Sequence, residues 1–247
     1  MLYAPDGRCW RYDKNYPWGW ERAYFRGRRQ ITVAETDLGN IGLQLCWDVA
    51  HADLWRQYAG KIDLMLACSC PPNLPDPTYH FPDGAQIISR QFGATLVKFF
   101  RQIALHVFVD TTAQQTSWLG VPYLGSTACG FFRSPVPNPL GSFGGLFLTT
   151  GLIRYLPQLR QVEVSASMVE AARILAADGA LLASMRNEQG EAFALADVAI
   201  PAERPQPRTR QPRPPVPRLA YFMCDKVLPM LSRGTYARRN QNLVGSV

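Results

Sequence analysis

The sequence predicts an α/β domain in which buried strands form a sheet covered by helices. Three observations predict it. Two short runs, Ile41–Leu45 and Ile62–Ala67, are almost continuously apolar, as strands buried on both faces are. Between them, from His51 to Gly60, the residues Leu54, Trp55 and Tyr58 recur at helical spacing, and Gly60 stands where a helix would stop. Two turn signals, Pro5-Asp6-Gly7 and Asp178-Gly179, mark hairpins near the two ends of the pattern. At 247 residues and 47% hydrophobic, the chain has material for one large domain or two small ones.

Each element follows from local chemistry. Leu2–Ala4 and Cys9–Tyr12 pair about the first turn, and Lys14 follows where the second strand ends. An aromatic loop, Asn15 to Glu21, leads to Phe25. Ile31–Glu35 and Ile41–Leu45 read as strands joined by the turn Thr36–Asn40. Gln86 to His106 reads as helix, running into a strand at Val107–Thr111. Ile174–Ala177 and Ala180–Ala183 pair about Asp178-Gly179, and a last strand covers Phe193–Ile200. No internal repeat is visible. The most apolar window, Leu140–Ile153, is shorter than the roughly 20 residues that span a bilayer and is rich in glycine. It is read as buried or substrate-side.

Charge is unevenly distributed. The net charge of +7 resides after residue 200, where nine Arg and Lys face only Glu203 and Asp225. Residues 1–200 are neutral, so the basic balance gives no reason to expect nucleic acid on the body. Residues 201–218 hold seven prolines, which favours extended polyproline II or disorder. A solubilising linker explains them, as does a ligand for an acidic or proline-reading partner. Leu219–Leu231 reads as a short amphipathic helix, broken near Pro229 and able to dock on the body or on a neighbouring subunit. Six scattered cysteines do not make a disulfide scaffold, and MLYAPDGRCW has no signal-peptide pattern. The expectation is a soluble cytoplasmic protein with no membrane partner.

The candidate chemistry centres on Cys46, at the end of an apolar strand. A small core thiol and a nucleophile both fit that position. Asp48 reads as a helix-capping or structural acid. His51 and His106 read as satisfied polar residues near helix ends. Cys68, Cys70 and His80 do not have the spacing of a zinc site, so no metal is expected. Trp118, Tyr123 and Phe143 are assigned to a substrate pocket.

Gly42-Leu-Gln-Leu-Cys46-Trp47-Asp48, then Leu54-Trp-Arg56, then Ile62-Asp-Leu-Met-Leu66, resembles the nucleophile segment of the nitrilase (carbon–nitrogen hydrolase) superfamily. Tyr3 to Lys14 resembles that family's hairpin into its catalytic lysine, and Asn15 to Phe25 the loop that follows. The later helix, the Asp178-Gly179 hairpin and the stretch Gly190–Ile200 resemble its closing elements. The resemblance covers residues 1 to about 200. It implies a nitrilase-like α-β-β-α sandwich, here N-terminally incomplete, followed by the Pro/Arg-rich linker over 201–218 and a tail over 219–247. It also implies a homo-oligomer and no cofactor. Its substrate would be a small amide, carbamoyl amine or nitrile. Cys46 would be the nucleophile, Lys14 the stabiliser of developing charge and Glu21 an ordering acid. The Trp47 backbone N–H would be an oxyanion donor. The family's general-base glutamate lies upstream of its lysine, in a stretch with no counterpart in these residues. The alternative is therefore an inactive remnant or interaction protein acting through the basic tail.

Overall fold

The computed structural model describes residues 1–136, 138–231 and 234. A two-residue hairpin opens the chain, β1 (Leu2–Tyr3) against β2 (Cys9–Trp10). Gly7 closes its turn at φ +88°, donating to the Ala4 carbonyl at 3.0 Å. The central sheet holds β3 (Val33–Thr36), β4 (Gly39–Leu45), β5 (Leu64–Ser69), β8 (Tyr123–Thr127), β11 (Arg173–Leu175) and β12 (Leu181–Ser184). Its order is β12-β11-β8-β5-β4-β3. The three inner strands β8, β5 and β4 run parallel, and the outer ones pair antiparallel. Parallel neighbours require a crossover, supplied between β4 and β5 by α1 (Ala52–Tyr58).

Gly42 on β4 permits that crossover to lie close. A Cβ there would sit 2.8 Å from Ile62 Cδ1 and 3.1 Å from the Tyr58 ring. Trp55, Tyr58, Ile62 and Met65 therefore bury fully between sheet and helix, joined by Val107, Phe108 and Leu119. On the other face, Ile41, Leu43 and Leu64 lie under Tyr12, with Leu2 and Trp10 beside it. The α/β class is as expected from the sequence.

A second sheet, in the order β7-β6-β10-β9, joins β6 (Thr78–His80), β7 (Gln86–Ile88), β9 (Phe131–Pro135) and β10 (Glu163–Ser167), all antiparallel. It has its own aromatic core, in which Tyr79, Phe81 and Phe92 meet Phe143 and Phe147. The last two come from α4 (Pro139–Thr149), so the apolar window is a buried helix face.

Four expectations are corrected. Val107–Thr111 is not a strand but a π-helical turn, His106–Thr111, linking α2 (Ala94–Leu105) to α3 (Thr112–Leu119). Its β-branched residues favour strand locally, but Val107 and Phe108 fill the space beneath the helical layer. The Thr111 and Thr112 hydroxyls donate back to the carbonyls of His106 and Phe108. The helix expected from Gln86 begins only at Ala94, because Gln86–Ile88 is taken up as β7. Phe193–Ile200 joins no ladder; Phe193 and Leu195 are each 81% exposed, so alternation there marks no buried face. The C-terminal helix begins as α5 (Arg218–Phe222) and continues through Pro229 rather than breaking there. A π-turn at Met223–Val227 precedes the proline. In it the Leu228 N–H reaches back to Met223, and the wider turn accommodates a residue that lacks the regular helical donor.

Residues 201–217 form no regular secondary structure, yet they run across the helical layer in close contact. Arg204 pairs with Asp63 at 3.0 Å. The Gln211 amide donates to the Ala52 carbonyl at 2.6 Å and to the Gln115 side chain at 2.8 Å. Trp118 donates to the Thr209 carbonyl, and Val216 is buried in the main core. Of the tail expected over 219–247, residues 232–233 and 235–247 lie outside the described residues. Among the described residues, no helix is long and apolar enough to cross a membrane.

Candidate active site

β4 delivers Cys46 to the sheet's carboxyl edge. There the chain turns into a 3₁₀-helix, Cys46–Ala50, with Cys46 at φ +49°. A left-handed backbone at a residue with a Cβ is costly and persists only where the surroundings over-determine it. Because β5 runs parallel to β4, with Leu45 opposite Cys68, its end at Ser69-Cys70 arrives beside the same point. Cys70 and Trp47 line the same cavity as Cys46, and the backbone N–H of each draws the Cys46 thiol down. Ends of parallel strands make such convergences, and this is the signal by which Cys70 could have been found from the sequence.

Lys14 is brought in by a clamp. The Asp48 carboxylate, fully buried, accepts from Tyr12 Oη at 2.7 Å, from the Asn15 N–H at 3.3 Å and from the Tyr16 N–H at 2.7 Å. Three residues of the loop that carries Lys14 are thus fixed to a residue two positions after Cys46. Asp48 is structural, as expected, but its task is to hold the lysine loop rather than to cap the following helix. Burial pushes its carboxyl up from the ordinary range, and the three donors oppose that.

Lys14 Nζ meets Glu21 Oε2 at 2.5 Å, and the same oxygen accepts from the Trp18 N–H at 2.7 Å. Burial pushes the Cys46 thiol up; the Lys14 ammonium and the two N–H donors pull it down, and the Glu21 charge pushes it up again. The resting thiol is protonated on balance, so it needs a proton acceptor at the moment it reacts. Cys46, Glu21 and Trp47 share one cavity of about 80 Å³, with Lys14 behind Glu21 through their ion pair.

The rest of the cavity wall was not foreseen from the sequence. Trp18, Phe100, Ile103, Val107, Phe108 and Val169 provide half of it and Cys70, Pro71, Pro72, Leu74, Pro75 and Ala104 the other half; among the described residues that line it, Glu21 is the one charged side chain. The assignment of Trp118, Tyr123 and Phe143 to the pocket is corrected. Tyr123 is buried in the main core and Phe143 in the second, while Trp118 faces the 201–217 segment. His106 is satisfied by Asp110 at 2.7 Å. His51 is not: its buried Nε2 has no hydrogen-bond partner among the described residues, and its ring stacks on Tyr16 at 3.5 Å instead. Burial, helped by the Arg22 charge, pushes it down to about 3, so the ring is neutral and its 3.6 Å approach to Asp225 is not an ion pair.

No protein-family model and no curated protein matches this chain. Among solved structures, it is similar to a carbon–nitrogen hydrolase from Helicobacter pylori G27, at 14% identity and TM-score 0.38 over 66% of this chain and 42% of that one. It is also similar to an amidase from Nesterenkonia sp. AN1, in a form showing covalent addition of the acetamide moiety of fluoroacetamide at the active-site cysteine. That match has 14% identity and TM-score 0.35 over 67% of this chain and 41% of that one. The chain spans about two fifths of the length of these structures.

Proposed function

We propose that the chain is a thiol hydrolase of non-peptide carbon–nitrogen bonds, of the nitrilase superfamily that its sequence resembles. The observation that carries the reading is Cys46, held at a positive φ on a strand end, sharing one small cavity with Glu21 and Trp47 while Lys14 is tied to Glu21.

In this reading the Cys46 sulfur bonds to the carbonyl carbon of an amide as its proton passes to the Glu21 carboxylate. The carbonyl electron pair moves onto oxygen, where the Trp47 N–H and the Lys14 ammonium offset the new charge. The proton is handed on to the nitrogen, the carbon–nitrogen bond breaks, and ammonia or an amine leaves. Water then attacks the thioester, giving the acid and the free thiol. The cavity of about 80 Å³ beside Cys46 would take the acyl group. Its apolar wall suits an uncharged aliphatic one.

Display of the proline-rich segment to a partner has less support, because Arg204, Gln211 and Val216 are engaged with the body. The test is ammonia release from short aliphatic amides, together with mass mapping of the peptide containing Cys46. Acylation at Cys46 and release abolished by Cys46→Ala are expected. Release that persists in Cys46→Ala would overturn the reading.

A further inference from the structure

The C-terminal helix reaches both halves of the candidate site. Tyr221 Oη donates to the Ala50 carbonyl at 2.5 Å, and the Trp47 indole N–H donates to Asp225 Oδ1 at 2.9 Å. Residues 221 and 225 are one helical turn apart, so they share a face. On that face they grip both ends of the five-residue helix that begins at Cys46. The next turn continues the seat: a Cβ on Gly19 would lie 2.8 Å from Leu228 Cδ1, and the Trp18 indole N–H faces the Cys224 sulfur. Gly19 and Trp18 belong to the loop between Lys14 and Glu21. Ala220 and Leu228 are buried by this docking, so it is not a surface grazing.

We propose that Asp225 is a positioning residue for the nucleophile turn, holding the Trp47 indole and thereby keeping Cys46 in its left-handed backbone conformation beside Glu21. The inference rests on the reading of Cys46 as the nucleophile. The physical need for it lies in the backbone. A turn that starts at φ +49° has a competing relaxed conformation, and it is held by bonds to other elements, Asp48 to the lysine loop and Trp47 and Ala50 to the C-terminal helix. A hydrogen bond to a carboxylate is among the stronger neutral-donor bonds and anchors the largest side chain of the turn. Arg22, Lys226, Asp53, the neutral His51, Tyr16, Tyr221 and Cys224 are the charged or titratable groups facing Asp225 among the described residues. Lys14, Glu21 and Tyr123 are those facing Cys46.

The test is the pH dependence of Cys46 alkylation by iodoacetamide, which needs no turnover and so does not depend on hydrolysis being the activity. Asp225→Ala and Trp47→Phe are each expected to slow alkylation near neutral pH by about tenfold, with the midpoint of the profile raised by about one pH unit. The double variant is expected to be no worse than either single one. Asp225→Asn keeps an oxygen acceptor and should restore the wild-type profile. Val216→Ala, which loosens the packing of the same C-terminal segment, controls for general destabilisation and should leave the midpoint in place. A wild-type midpoint in Asp225→Ala, or a shift in Val216→Ala equal to it, would reduce Asp225 to a helix anchor and overturn the proposal. Normal Asp225 behaviour in a protein that releases no ammonia would instead count against the hydrolase reading alone.

Discussion

Cys46 combines a reactive group with an unfavourable backbone angle, and the two can be separated by substitution. Both Cys46→Ala and Cys46→Gly remove the thiol, but only glycine is at ease at φ +49°. Relief of the strain, about 1 kcal/mol, is partly offset by the greater chain entropy of glycine when unfolded. Cys46→Gly is therefore expected to be more stable than Cys46→Ala by a few tenths to about 1 kcal/mol in urea unfolding. Asp48 offers a second test. Asp48→Asn places an amide where three donors converge, so a loss of about 1–3 kcal/mol is expected. Slower Cys46 alkylation should accompany it as the lysine loop loosens. His51 gives a pH signature. Its folded value of about 3 lies below the unfolded value near 6.5. As pH falls from 6.5 towards 3, the unfolded chain therefore takes up a proton that the folded one refuses, and stability falls. His51→Phe keeps the ring stacked on Tyr16 without that proton. The stability difference between wild type and His51→Phe should shift against the wild type across this window, by thermal unfolding at stepped pH.

Among the elements, the segments most fully legible in the sequence are those whose neighbours in space are neighbours in the chain. The β1–β2 hairpin, β3, β4, α1, β5 and the β11–β12 hairpin fall within a residue or two of expectation, since local turn chemistry and periodicity set them. The helix carrying Val107 and Phe108 was misread because the residues that bury it come from distant parts of the chain. The loop of Lys14 depends on a similarly hidden contact. A Cβ on Gly27 would sit 2.3 Å from the Asn15 carbonyl oxygen, a backbone atom that cannot swing aside. Gly27→Ala is thus expected to cost about 1–3 kcal/mol and to slow Cys46 alkylation through the displaced loop, whereas Gly84→Ala, with open space around its Cβ, should leave the alkylation rate unchanged.

At the scale of the molecule, the C-terminal residues decide whether the helical layer is closed. Val216, Ala220 and Leu228 are buried against the body, and burying each larger apolar side chain is worth about 1.5–3 kcal/mol. Truncation after Ile200 is expected to destabilise the chain by at least about 3 kcal/mol. An unchanged unfolding midpoint would show the segment to be a dispensable linker. By itself, the sequence determined the α/β class, the strand that ends at Cys46 and the hairpins, because each is written in local pattern. Only the tertiary structure decided that Asp48 holds the lysine loop, that Cys70 and the residues around Phe108 wall the cavity, and that a basic, proline-rich segment lies against the helices beside Cys46. These depend on contacts between residues far apart in the chain, and composition records the charge and proline of such a segment but not the surface on which it comes to rest.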